Sequence, residues 1–192
     1  MGRHKAFDKA EALASAIDVF ASHGYEGTST DALVAAMGIS RQSLYDTFGD
    51  KWRLYLAAVQ QYSTDSVTAQ LKVLNGGRSA MAGLRRHLMS EVQKAIDSPD
   101  PKCLGVSSTC EFGRSRPELN ALHEVIGKML VSSLEHRLEQ AKQEGDIAHD
   151  AKAGEIATFI LAMLVGVKVL ARGGASPDTL RGIARVALDR IR

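Results

Sequence analysis

The chain is short of most residues that would tie it to an oxidising, fibrous or membrane setting. Two cysteines in 192 residues, Cys103 and Cys110, supply no disulfide framework, and a reducing cytoplasm is the simplest location. Proline occurs only at 99, 101, 117 and 177, which leaves the intervening stretches free to be helical. Aromatic residues are 5% of the chain, while Ala, Leu and Ile dominate the periodic stretches; the composition indicates an all-α protein. No uninterrupted apolar run approaches the ~20 residues of a membrane span, and no cleavable hydrophobic leader precedes the first helix, so no membrane partner is expected. Charge of one sign is also lacking. The formal net charge is +2, and residues 1–53 hold six Lys or Arg against seven acids. There is no HExxH, no P-loop and no dinucleotide fingerprint. The six histidines, at 4, 23, 87, 123, 136 and 149, include no i, i+3 or i, i+4 pair. No catalytic residue, metal or cofactor is therefore expected, and an all-α enzyme is the reading these absences argue against.

What is present is helical periodicity, punctuated. Phe7 to His23 places Ala10, Leu13, Ala14, Ile17 and Phe20 on one face and ends at Gly24. After Gly49, Asp50 caps a long helix running towards Leu74, closed by Gly76-Gly77. Ser79 caps a fifth helix, and Asp97 to Pro101 forms a loop. Cys103 to Phe112 is a short sixth helix, and Pro117 opens a seventh to about Gln143. The eighth, about Ala151 to Ala171, is apolar over much of its circumference and needs cover on two sides. Ser176-Pro177 starts a ninth, which carries Leu180, Ile183, Ala187, Leu188 and Ile191.

The stretch from Thr28 to Arg53 organises the rest. Ser29 or Thr30 caps a helix with Leu33, Val34 and Met37 inward, and Gly38 ends it. Ile39 plugs the turn, Ser40 caps the next helix, and Leu44 and Phe48 form its buried stripe. Arg41, Gln42, Ser43 and Tyr45 are left outward. A helix, a short turn and a polar-faced second helix make the helix-turn-helix pattern, whose second helix enters the DNA major groove N-terminus first. The plain alternative is an αα-hairpin with a solvated face. A non-specific architectural DNA binder is another, which the low basic content opposes.

Helix 7–23, the Gly24–Ser29 run, Gly38-Ile39-Ser40 and the segment Leu44 to Lys51 together resemble the tetracycline-repressor (TetR-like) family. The resemblance implies a three-helix helix-turn-helix DNA-binding domain over residues 1–50. It also implies a helical ligand-binding and dimerisation domain over 51–192, about nine helices in all. The expected function is a cytoplasmic, sequence-specific repressor released from a two-fold-symmetric double-stranded operator by a small molecule. By position, Thr28 and Thr30 are expected to face a phosphate, with Tyr45 and Lys51 as further phosphate contacts. Ser40 caps the reading helix. Arg41, Gln42 and Ser43 are the expected base readers, Arg41 suiting guanine and Gln42 adenine. Arg3 and Lys5 resemble basic arms that enter a neighbouring minor groove. Many relatives carry Tyr-x-His-Phe where this chain has Tyr45-Asp46-Thr47-Phe48, so the usual His contact is absent. Asp46 and Asp31 are anions near the expected phosphate backbone.

The family encloses its effector among helices four to eight, and His87, Cys103, His123 and Met163 are the candidates here. The effector itself is unknown. Self-association is expected through Phe159, Met163 and Val167 of the eighth helix with Leu180, Ala184 and Leu188 of the ninth, as a homodimer. A thiol-sensing repressor using Cys103 is the alternative mode of regulation. Cys110 lies seven residues on and about 10 Å along the same helix face, beyond the ~7 Å reach of a disulfide, so both are read as buried packing thiols.

Overall fold

The computed structural model describes residues 7–98 and 103–191. The expectation for Arg3 and Lys5 lies outside them. Every regular element among the described residues is an α-helix. They are α1 (Lys9–His23), α2 (Thr30–Met37), α3 (Arg41–Phe48), α4 (Lys51–Asn75), α5 (Ala80–Asp97), α6 (Leu104–Phe112), α7 (Pro117–Gln143), α8 (Ala153–Arg172) and α9 (Pro177–Arg190).

The chain forms two compact units. The first holds residues 7–64 and Cys103–Leu122. Its core gathers Ala12, Ala16 and Phe20 of α1, Leu33 and Met37 of α2, Leu44 and Phe48 of α3, Leu54, Tyr55, Ala58 and Val59 of α4, and Leu104 and Leu119. The buried stripe of α1 is not quite the one its sequence suggests. Ala12, Ala16 and Phe20 are buried at i, i+4, i+8, whereas Ala10 and Ala14 are exposed and Leu13 and Ile17 lie at the margin. Small side chains let α1 approach α2 closely, so alanine spacing sets the contact and the larger residues flank it.

The second unit holds residues 65–98 and 123–191. Its larger cluster joins Leu84 and Leu88 of α5, Leu130, Leu134 and Leu138 of α7, and Ala157, Ile160 and Leu164 of α8. The start of α5 is anchored by α7 and the residue that follows it: Arg137 Nη2 donates to the Ser79 carbonyl (3.0 Å) and Glu144 Oε2 accepts the Ala80 N–H (2.8 Å). A smaller cluster packs Val92 and Ala95 of α5 with Val167 of α8 and Leu180 and Ala184 of α9.

No uninterrupted apolar run marks a span, yet α8 is, by length and composition, long and apolar enough to cross a bilayer. Its Ile, Leu, Val, Met and Phe residues raise the average over the helix, while Glu155 and Lys168 bound the uncharged stretch at 156–167, well short of a span. Ala153, Ala157, Ile160, Leu164 and Val167 of that helix are buried in the second unit.

Candidate nucleic-acid interface

The α2–turn–α3 segment is assembled from local signals. Ser29 caps α2, its hydroxyl accepting the Ala32 N–H at 3.1 Å. Gly38 takes the left-handed conformation (φ 65°), closed to a side chain without strain, and turns the chain out of α2. Ser40 caps α3, its oxygen accepting the Ser43 N–H at 3.0 Å. Leu44 and Phe48 are buried and pin α3 to the core, which fixes the opposite face outward. Arg41, Gln42, Tyr45 and Asp46 are exposed, and Ser43 is half-buried.

The exposed groups are not free rotors. Arg41 Nη2 donates to Asp31 Oδ1 in the first turn of α2, and this hydrogen bond, with the Asp31 charge, holds the guanidinium above its ordinary pKa. Gln42 Nε2 donates to Asp46 Oδ1 one turn along α3, at 2.7 Å. The hydroxyls of Ser40 and Ser43 share a hydrogen bond of 2.9 Å. Lys51 Nζ sits 4.1 Å above the Tyr25 ring at the start of α4. Thr30 is half-exposed as the first residue of α2.

Thr28 departs from its expected place. It is 2% exposed, its hydroxyl donates to the Gly24 carbonyl at 2.6 Å and its N–H to the Tyr25 carbonyl at 3.2 Å. Both donors are spent inside the turn, so Thr28 braces the α1–α2 connection and does not present its hydroxyl to a phosphate.

That connection is held by a residue the sequence reading missed. Glu111, near the end of α6, accepts the Tyr25 N–H (3.0 Å) and the Glu26 N–H (2.8 Å), one on each carboxylate oxygen. An aromatic cluster of Phe20, Tyr25, Trp52, Tyr55 and Phe112 packs beside it, with ring centroids 4.9 to 6.5 Å apart. The Arg116 guanidinium lies 4.8 Å above Trp52. Desolvation within the cluster raises the pKa of both Tyr25 and Tyr55. The only sequence signal was the aromatic residue types, spread over 93 positions from 20 to 112.

The ligand candidates fall in both units. Cys103 is the half-buried N-cap of α6 in the first unit. His87, His123 and Met163 belong to the second. His87 is fully buried on α5, neither ring nitrogen has a hydrogen-bond partner among the described residues, and burial lowers its pKa to about 4. His123 is also lowered by burial, and Met163 packs between the two clusters of its unit. The reading of both thiols as buried is corrected: α6 buries Leu104 and Ser108, and Cys110, on the other side of the helix, is exposed.

The self-association face is corrected as well. Val167, Leu180, Ala184 and Leu188 are all buried within the chain itself, where α9 packs on α5. Met163 is half-buried, and of the six residues only Phe159 is well exposed, at 51%. Strong apolar periodicity marks what a helix buries and does not say against which molecule. Among the described residues, the large aliphatic and phenyl side chains left open are Met89 of α5, Val125 and Met129 of α7, Phe159, Val165, Val169 and Leu170 of α8, and Val186 of α9, the last 63% exposed.

Comparison with known proteins matches this architecture. Residues 12–58 fit the family model for bacterial regulatory proteins of the tetR family. The HTH-type transcriptional regulator YezE of Bacillus subtilis is 34% identical over 191 residues, 98% of each chain. The HTH-type transcriptional repressor ComR of Escherichia coli is 25% identical over 189 residues, covering 97% of this chain and 90% of ComR. A cysteine mutant of the TetR-family regulator CifR, solved in complex with 26-bp double-strand operator DNA, superposes with a TM-score of 0.83 at 31% identity, covering all of both chains. With α2, the turn and α3 inside the matched segment and a relative similar from end to end, the chain belongs to the tetR family of bacterial regulatory proteins.

Proposed function

We propose that the chain is a cytoplasmic, homodimeric transcriptional repressor that reads a two-fold-symmetric operator through α3 and leaves it when a small molecule binds. The observation that carries the reading is the first turn of α3. It is capped by Ser40, pinned from behind by Leu44 and Phe48, and presents Arg41 and Gln42 to solvent. Such a turn fits a major groove, where Arg suits guanine O6 and N7 and Gln suits adenine N6 and N7, with Ser43 beside them. Thr30, Tyr45 and Lys51 would supply phosphate contacts around it. Residues 1–50 are the reading head in this account and 51–192 the sensing and pairing domain.

Pairing is supported by the open apolar stripe of α8 and by two glycines. At Gly166 in α8 and Gly182 in α9, an added Cβ would meet nothing within 4 Å. Mid-helix glycine costs about 1 kcal/mol against alanine. Among the described residues nothing makes use of the missing side chain at either position, nor at Gly127 of α7, and a partner helix approaching closely would. His87 is the strongest anchor for an effector, because its buried, unpartnered ring nitrogens would gain most from a polar ligand. Selection of bound sequences from a random double-stranded DNA pool tests the reading. A two-fold-symmetric consensus is expected; enrichment of no sequence would overturn it.

A further inference from the structure

We propose that Asp31 and Asp46 are positioning residues for base readout, each fixing how one reader side chain is presented. The inference rests on the assignment of Arg41 and Gln42 as readers. Asp31 stands in the first turn of α2, ten positions before Arg41, and its carboxylate takes one Nη2 hydrogen of the guanidinium. Both side chains are largely in solvent, at 55% for Arg41 and 81% for Asp31, so neither owes its place to packing. A free arginine samples many rotamers. Held at one nitrogen and in one plane, it keeps a defined edge of parallel donors for a guanine.

Asp46 does the same for Gln42 by a different logic. An ionised carboxylate can only accept, so the amide nitrogen must be the atom that faces it across 2.7 Å. The amide oxygen and the second N–H are then left outward in a fixed order, an acceptor beside a donor. That is the complement of adenine N6–H and N7.

Charge makes the arrangement legible as specificity. Two exposed carboxylates beside a DNA-reading turn repel phosphates and weaken attachment to every sequence alike. Their return is orientation, which favours the right bases only.

The test compares Asp31→Ala, Asp31→Asn and Asp46→Ala with the wild type, on the selected site and on single-base variants of it. Thermal melting is run alongside to confirm that each variant folds. In Asp31→Ala, discrimination at the base read by Arg41 should fall about tenfold while binding to unrelated DNA rises. Asp31→Asn, which keeps an oxygen acceptor, should recover part of the loss. In Asp46→Ala the loss should appear at the base read by Gln42 instead. Adding Asp31→Ala to Arg41→Ala should change discrimination no further. If the alanine variants keep the wild-type base preferences and bind all DNA more tightly, the carboxylates are plain repulsive charges and the proposal fails, while the reading role of α3 stands. A wild type with no preferred base at any position would overturn both.

Discussion

Arg41, Gln42 and Lys51 are all polar side chains near helix starts, yet their surroundings separate their roles. Arg41 and Gln42 project from the first turn of a helix whose other face is buried. Lys51 rests on the Tyr25 ring, part of the aromatic cluster. Arg41→Ala and Gln42→Ala should each cost about 1–3 kcal/mol on the preferred site and relax choice at particular bases. Lys51→Ala should weaken all DNA alike and flatten the salt dependence by about one unit, as measured by binding at several ionic strengths. Identical behaviour of the three variants would contradict the assignment. His87 makes a separate prediction about stability. Its folded pKa, about 4, lies below the unfolded value of 6.5, with Glu91 opposing burial and Lys94 and Lys168 adding to it. The folded state therefore favours the neutral ring. The stabilisation is complete above about 6.5 and is lost as pH falls through 4, on the order of 3 kcal/mol in all. Denaturant unfolding between pH 7 and 4 should show that slope in the wild type and a flatter one in His87→Leu.

At the scale of elements, much of the fold was legible because each helix announces its own ends. Ser29, Ser40, Ser79 and Ser176 all accept the capping N–H that their position implies, and Gly38 turns left-handed where a helix had to stop. These signals are local, and local signals survive in a sequence. The clamp by Glu111 is not local: 86 residues separate it from Tyr25, and nothing in either segment advertises the other. Thr28 was misplaced for a related reason, since a hydroxyl before a helix looks the same whether it faces water or the preceding turn. Glu111→Ala should release two backbone N–H groups to solvent and cost about 1–2 kcal/mol in denaturant unfolding. It should also weaken operator binding by loosening the approach to α2. Unchanged operator affinity would confine Glu111 to stability.

At the scale of the molecule, legibility fell furthest, because hydrophobic pattern does not distinguish a core from an interface. Leu180, Ala184 and Leu188 of α9 face inward, and the apolar residues left open, such as Val169 and Val186, are the less regular ones. Val169→Asp should give a folded chain that sediments as a monomer and binds its operator weakly. Val167→Asp should instead unfold the chain, since it buries an unpaired charge in its own core. In the proposed homodimer, two reading heads on one two-fold axis would also impose a spacing on the DNA, with major grooves about 34–36 Å apart on one face of the duplex. The most direct measurement is affinity for the selected operator when about five base pairs, roughly half a helical turn, are inserted between its half-sites. Tight binding should collapse to that of a single half-site. Affinity indifferent to the insertion would contradict it.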